Sequence, residues 1–142
     1  MEALQSVIQP TIGVFTCLGD AHQENFTSYE QKCLEKLKLF KDAKVLVYDM
    51  DDARVVGCVN RSAFKGEYFA WSRQRRDVPL YIASVEKREA ETVVSYIYKG
   101  KEAACSIPFI DEASLANSVS CLAVCLHLGM SPETIAARMA VL

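Results

Sequence analysis

Apolar and polar positions follow two different periods along this chain, and the switches between them mark its elements. Residues Thr11 to Leu18, TIGVFTCL, are β-branched and apolar almost throughout, the pattern of a strand covered on both faces. Gly19 and Asp20 end it. From Ser28, SYEQKCLEKLKLF places Cys33, Leu37 and Phe40 at i, i+4 and i+7, with Leu34 beside them. Ser28 stands as N-cap with Gln31 three residues on, so a helix of about three turns is expected. AKVLVYD, Ala43 to Asp49, reads as a second buried strand, which DMDD breaks. Strand, helix and strand with short links predict a right-handed βαβ unit with parallel strands.

The middle is less regular. DARVVGCVNRSAF is compatible with a short helix, and GEYFAWS, with its alternating aromatics, with a strand. PLYIASVEKR, ETVVSYIYKG and KEAACSIPF follow as strand-like runs, the last two joined at Lys99-Gly100-Lys101 as a β-hairpin whose turn Gly100 supplies. Antiparallel strands thus follow a parallel unit. DEASLANSVSCLAVCLHLG sets Leu115, Val119, Leu122, Ala123 and Leu126 on one helical face and stops at Gly129, as a C′ glycine arranges. Ser131 as N-cap and Pro132 at the first helical position open another helix, expected to be still running at Leu142. The fold class expected is therefore α/β: a parallel core from Thr11 to Asp49, a small antiparallel portion from about Tyr68 to Phe109, and two carboxy-terminal helices.

Composition narrows what such a fold is for. The 142 residues are 51% hydrophobic and 24% charged, enough for one ordinary domain with a core of its own. With 16 basic against 18 acidic residues the net charge is −2, so no long-range field favours nucleic acid or an anionic membrane. No apolar run approaches the roughly 20 residues that span a bilayer, and MEALQSVIQP lacks the pattern of a secretion signal, so the cytoplasm is the expected compartment. The six cysteines form no C-x-x-C pair, and Cys121 and Cys125 lie four apart in a helical pattern. They read as buried free thiols rather than as a zinc or redox site. Arg73, Arg75 and Arg76 cluster in an expected loop, as a solvated turn first and a phosphate-binding patch second.

Of two histidines, His127 lies near the end of an apolar helix, where capping is the natural role. His22 directly follows the first strand, at the carboxyl edge where open α/β folds place ligands, with Asp20 and Glu24 beside it and Lys36 fourteen residues on. By residue type alone it reads first as an ordinary loop histidine.

A resemblance changes that weighting. GVFTCLGDAHQENFTSYEQKCLEKLKLFKDAKVLVYDMDD resembles the Mur ligase segment that runs strand, Thr-Asn, small residues, Ala-His-x-Glu-x-Phe, then a helix with Lys-x-x-Ile/Leu-Phe. IPFIDEASLANSVSCLAVCLHLGMSPETIAARMAVL is similar to the same family's helix carrying Asn-Ala-Leu-Ala-Ala and the helix after it. Within the family the likeness is greatest to members that add D-alanyl-D-alanine to UDP-N-acetylmuramoyl tripeptide, and DEASLAN also resembles the form fused to an alanine racemase.

The resemblance implies an ATP-dependent amide ligase of peptidoglycan precursor synthesis, in which a substrate carboxylate is phosphorylated and an amine then attacks the acyl phosphate. Magnesium manages the charge of that first step. His22 matches the family histidine that binds the second magnesium, and Lys36 matches the lysine that becomes a carbamate and serves as magnesium ligand or organiser. Lys32, one turn away, would favour the neutral amine that reacts with carbon dioxide. Glu24 matches the acidic residue after the histidine, and Asn117 the asparagine that contacts adenine. Two positions depart from the pattern: Ala113-Ser114 stands where the family has His-Asn, and Cys17 where it has Asn.

The chain has no G-x-x-G-K-[ST] loop to cradle ATP phosphates, nor counterparts of the flanking substrate and closing domains. Residues 1 to 142 are thus expected to be one partial domain, the later part of a central ATP-binding domain, inactive alone and prone to self-association through uncovered apolar surface. Other expectations compatible with the residues are a different Mur ligase or a folylpolyglutamate synthase, and a noncatalytic α/β interaction module.

Overall fold

Parallel pairing of two short strands organises the first part of the chain. The computed structural model describes residues 2–16 and 26–142, which divide into two compact units, Met1–Tyr68 and Phe69–Leu142. In the first unit, helix α1 (Glu2–Ile8) precedes strand β1 (Ile12–Phe15). Helix α2 (Phe26–Leu37) runs on into a 3-10 turn at Lys38–Phe40, and strand β2 (Val45–Asp49) and helix α3 (Ala53–Arg61) follow. β1 and β2 are parallel, in register from Ile12 with Val45 to Phe15 with Tyr48. The expected strand-helix-strand order with parallel pairing is present.

The local chemistry explains these bounds. Val45, Leu46, Val47 and Tyr48 are all buried, the continuous apolar run of a covered parallel strand. β1 is shorter than TIGVFTCL suggests, and its burial alternates, with Gly13 and Phe15 covered and Ile12 and Val14 half-exposed. The end strand of the order is therefore covered on one face, not two; Cys17 and Leu18 lie outside the described residues. α2 includes Phe26 and Thr27, so Ser28 lies inside its first turn and is not the N-cap. Cys33 and Leu37 are buried as their spacing requires, whereas Phe40 is half-buried. α1 has no counterpart in the sequence-based expectation; the Gln5 amide donates to the Asp42 carboxylate at 2.8 Å and ties it to the turn before β2.

Strand β3 (Glu67–Ser72) starts in the first unit, where the Glu67 N–H donates to the Lys44 carbonyl at 2.9 Å. Gly66 is required there, since a Cβ would sit 2.5 Å from the Lys44 oxygen and 2.7 Å from that of Ala43.

The second unit holds the rest of β3 with strands β4 (Leu80–Lys87), β5 (Thr92–Tyr98) and β6 (Lys101–Ile107), then helices α4 (Glu112–His127) and α5 (Pro132–Met139). β4, β5 and β6 are antiparallel. β3 instead pairs parallel to β4, through Trp71 with Leu80 and Ser72 with Tyr81, so the antiparallel portion begins at Leu80 rather than near Tyr68. Two positions are all that meet, so the short link between the strands need carry the chain back only a little way.

α4 begins and ends as its sequence spells. The Asp111 carboxylate accepts from the Ser114 N–H at 2.8 Å, and Gly129, at φ +82°, closes the helix. There the Met130 N–H reaches the Cys125 carbonyl and the Gly129 N–H that of Leu126, a Schellman pair. Leu115, Val119, Leu122, Ala123 and Leu126 are all buried. The single tryptophan, Trp71, is buried beneath this helix and donates its indole N–H to the Ser120 hydroxyl at 3.2 Å. α5 opens at Ser131 and Pro132 as expected but closes at Met139 instead of running to Leu142. Its last turn tightens as Val141 and Leu142 N–H groups bond three residues back.

Candidate functional site

The carboxyl ends of β1 and β2 form the edge at which parallel strands present ligand-binding groups. Phe15 and Tyr48 are the last paired positions, so Thr16 and Asp49 leave the sheet side by side. β2 delivers the chain into Asp49-Met50-Asp51-Asp52, all half-buried. An Asp49 oxygen accepts the Asp51 N–H at 2.8 Å. Asp52 accepts from Arg54 N–H at 2.9 Å and Val55 N–H at 3.4 Å, capping α3, with Arg54 Nε 3.5 Å away. A turn held by its own carboxylates thus sets an acidic rim on the sheet edge. Sequence reading treated DMDD only as a strand breaker; the signal for more was an N-cap aspartate immediately after a buried strand.

β1 leads toward the segment that bears His22 and Glu24, both of which lie outside the described residues. Lys36 is exposed on the last turn of α2. Its side chain is open to solvent and so to dissolved carbon dioxide. α2 is pinned to α3 by Glu30 with Arg61 and by the Arg54 guanidinium 4.8 Å from the Tyr29 ring centroid. Asn117 is exposed on α4, in the second unit. Among the described residues no group of three His, Cys, Asp or Glu is arranged to hold a metal ion.

Other candidates resolve into packing. Arg73 pairs with Glu112 at 2.9 Å, Arg75 takes Asp77 through both Nε and Nη2, and Arg76 lies 5.0 Å over the Tyr81 ring. The basic cluster is therefore matched locally, not gathered around an anion. The His127 ring meets Phe69 edge-to-face at 5.9 Å. Cys33, Cys58 and Cys105 are buried as expected, but Cys121 is exposed and Cys125 half-buried. Burial, with a hydrogen bond that the Cys58 S–H donates to Cys33 next, pushes the Cys58 thiol up to about 11, and burial does the same to Cys105. Thiols held protonated in this way are poor nucleophiles. No helix among the described residues is long and apolar enough to cross a membrane.

Parallel strands with an acidic carboxyl edge, followed by antiparallel strands and two helices, define a mixed α/β domain. Residues 1–125 match the family model of the Mur ligase middle domain, and the chain belongs to that family. A search of curated proteins finds no match. Among solved structures, the chain resembles MurF from Acinetobacter baumannii with a TM-score of 0.79 at 16% identity, covering 99% of this chain and 31% of that one. It resembles MurF ligase from Thermotoga maritima in complex with ADP at 0.74 and 19%, covering 99% and 32%. Folylpolyglutamate synthetase from Lactobacillus casei follows at 0.65 and 13%, covering 95% and 34%. At these identities the likeness is one of fold, and the chain spans about a third of the length of these structures.

Proposed function

We propose that this chain is the later part of the middle, ATP-binding domain of an ATP-dependent amide ligase, of the type that joins D-alanyl-D-alanine to UDP-N-acetylmuramoyl tripeptide. The family match over residues 1–125 carries the reading. The higher TM-scores to MurF than to folylpolyglutamate synthetase favour the peptidoglycan branch over the folate one.

The residues suit magnesium and ATP in part. Hard oxygen donors stand at the β2 edge, but one Asp49 oxygen is engaged by the Asp51 N–H and Asp52 is engaged as a cap. By family likeness the metal ligands we assign are His22 and Lys36, the latter after its neutral amine adds carbon dioxide to give a carbamate and a released proton. Magnesium supplies charge neutralisation between phosphates and carboxylate when bound. Asn117 would meet the adenine edge through its amide, and Glu24 would support the histidine. The phosphate-binding loop belongs to no part of these 142 residues, so the chain by itself should neither ligate nor bind nucleotide more than weakly.

Two measurements test this. With carbon-13 bicarbonate, the chain should give a carbamate signal that Lys36→Arg removes. In a full-length ligase carrying this segment, His22→Ala or Lys36→Ala should lower turnover at least as much as losing an outer-sphere metal partner does, about 10–100-fold. Unchanged turnover would favour the noncatalytic interaction module instead.

A further inference from the structure

Along the start of β6 the second unit holds a groove of about 800 Å³, within the size range of ligand sites. One wall is the β5–β6 hairpin, from Tyr98 through Ala104; the other is the α4–α5 corner, through Met130, Pro132, Glu133 and Ala136. Leu126 and Tyr96 complete it. The Tyr96 hydroxyl at its floor is buried without a hydrogen-bond partner, and burial raises its pKa, while Leu126, Met130, Pro132 and Ala136 supply the apolar side of the lining. The family match ends at Cys125, so the α4–α5 wall stands beyond it while the hairpin wall lies within it.

The turn determines which backbone groups of β6 are free. Lys99 and Gly100 have φ of 50° and 74°, a two-residue type I′ turn closed by Tyr98 and Lys101. The closing pair exchanges both backbone bonds, and alternate pairs follow, Ala103 with Tyr96 and Cys105 with Val94. The N–H and C=O groups of Glu102, Ala104 and Ser106 therefore point away from β5. β6 is the last strand in the order, and no described strand pairs with that edge.

Charge gives the groove a direction. By strand alternation Lys101 shares the face of Ala103 and buried Cys105, while Glu102 projects to the other side. Lys99 sits at the turn, its Nζ 5.4 Å from the Tyr98 ring centroid. Two exposed lysines thus stand at the hairpin end, and Glu133 is the acidic residue on the helical wall.

We propose that this groove binds an extended segment at the free carboxy-terminus of another protein, added as a strand antiparallel to β6. Main-chain bonds to Glu102 and Ala104 hold the segment, Lys99 and Lys101 take its terminal carboxylate, and an apolar side chain packs against Leu126, Met130 and Ala136. The antiparallel sense follows because β6 runs away from the lysines, so a chain ending at them runs the opposite way.

The test is affinity selection on the 142-residue chain from pooled hexapeptides randomised at the last four positions, as free acids and as amides. The free-acid pool should enrich apolar terminal residues, and the best resynthesised peptide should bind at least tenfold more tightly than its own amide. Ala104→Pro removes an outward N–H without touching the β5 ladder, and should lower binding at least tenfold with the melting temperature held. Ala136→Trp fills the groove from the helix and should cause the same loss, which covers the case where the proline disturbs the strand. No enrichment, equal binding of acid and amide, or binding retained by either folded variant overturns the proposal. So does a concentration-dependent dimer abolished by Ala104→Pro without peptide enrichment, since the edge would then belong to a second copy.

Discussion

The first unit joins its strands in parallel through a helix, whereas most of the second joins neighbours directly through tight turns. The difference shows in where free groups are left. Parallel β1 and β2 end together at Phe15 and Tyr48, and the acidic turn at Asp49–Asp52 stands at that edge. The β4–β5–β6 meander has no such edge within it, and leaves instead the flank of its last strand. One architecture gathers loops for chemistry; the other offers backbone for association.

Truncating the two cores is the strongest way to break that contrast. Leu46→Ala and Leu122→Ala each empty a fully buried site and should cost about 3 kcal/mol. Hydrogen exchange should rise mainly in the unit that carries the change; equal loss of protection in both would show them to be one cooperative body. Next, Gly66→Ala should cost about 2 kcal/mol in thermal unfolding, because backbone oxygens cannot yield to its Cβ. Gly57→Ala, in a helix with open space at the Cβ, should stabilise by about 0.5 kcal/mol. In the second unit, Ser131→Ala removes the cap of α5 and should cost about 1 kcal/mol in chemical denaturation.

The smallest effect is one of pH. A hydrogen bond from Lys87, with Arg73 adding to it, holds Glu112 below its ordinary 4.5, and the Ser114 N–H holds Asp111 below 3.8. Both carboxyls are depressed in the folded state, so their stabilisation is present above those ordinary values and is lost as pH falls through the folded ones. Exchange protection at the start of α4 should therefore hold from neutral pH and drop only below about pH 4, with salt weakening the Glu112 part.

Legibility in the sequence follows the range of the interactions concerned. The hairpin at Gly100, the Ser131 cap and the Gly129 stop are each set within a few residues, and the structure has them where the sequence puts them. β1 and α2 depend on distant partners, so their limits were misread, and so was the parallel pairing of β3 with β4. The partners of Arg73 and Arg76, and the Phe69 contact of His127, come from other elements and had no local mark. Of the candidate site, the roles proposed for Lys36 and Asn117 rest on family likeness alone, since each is by itself an exposed polar residue on a helix. Asp49 and Asp52 were visible as letters but not as a rim, which needs the register of β1 with β2.

Trp71 has a practical consequence. An indole kept dry and bonded to Ser120 emits at short wavelength, and with no second tryptophan the emission belongs to the residues around β3 and α4 alone. A fluorescence titration with denaturant is thus a label-free readout of Phe69–Leu142. Far-UV ellipticity averages over every helix, α1, α2 and α3 included. The gap between the two midpoints measures how far the halves of this chain melt apart.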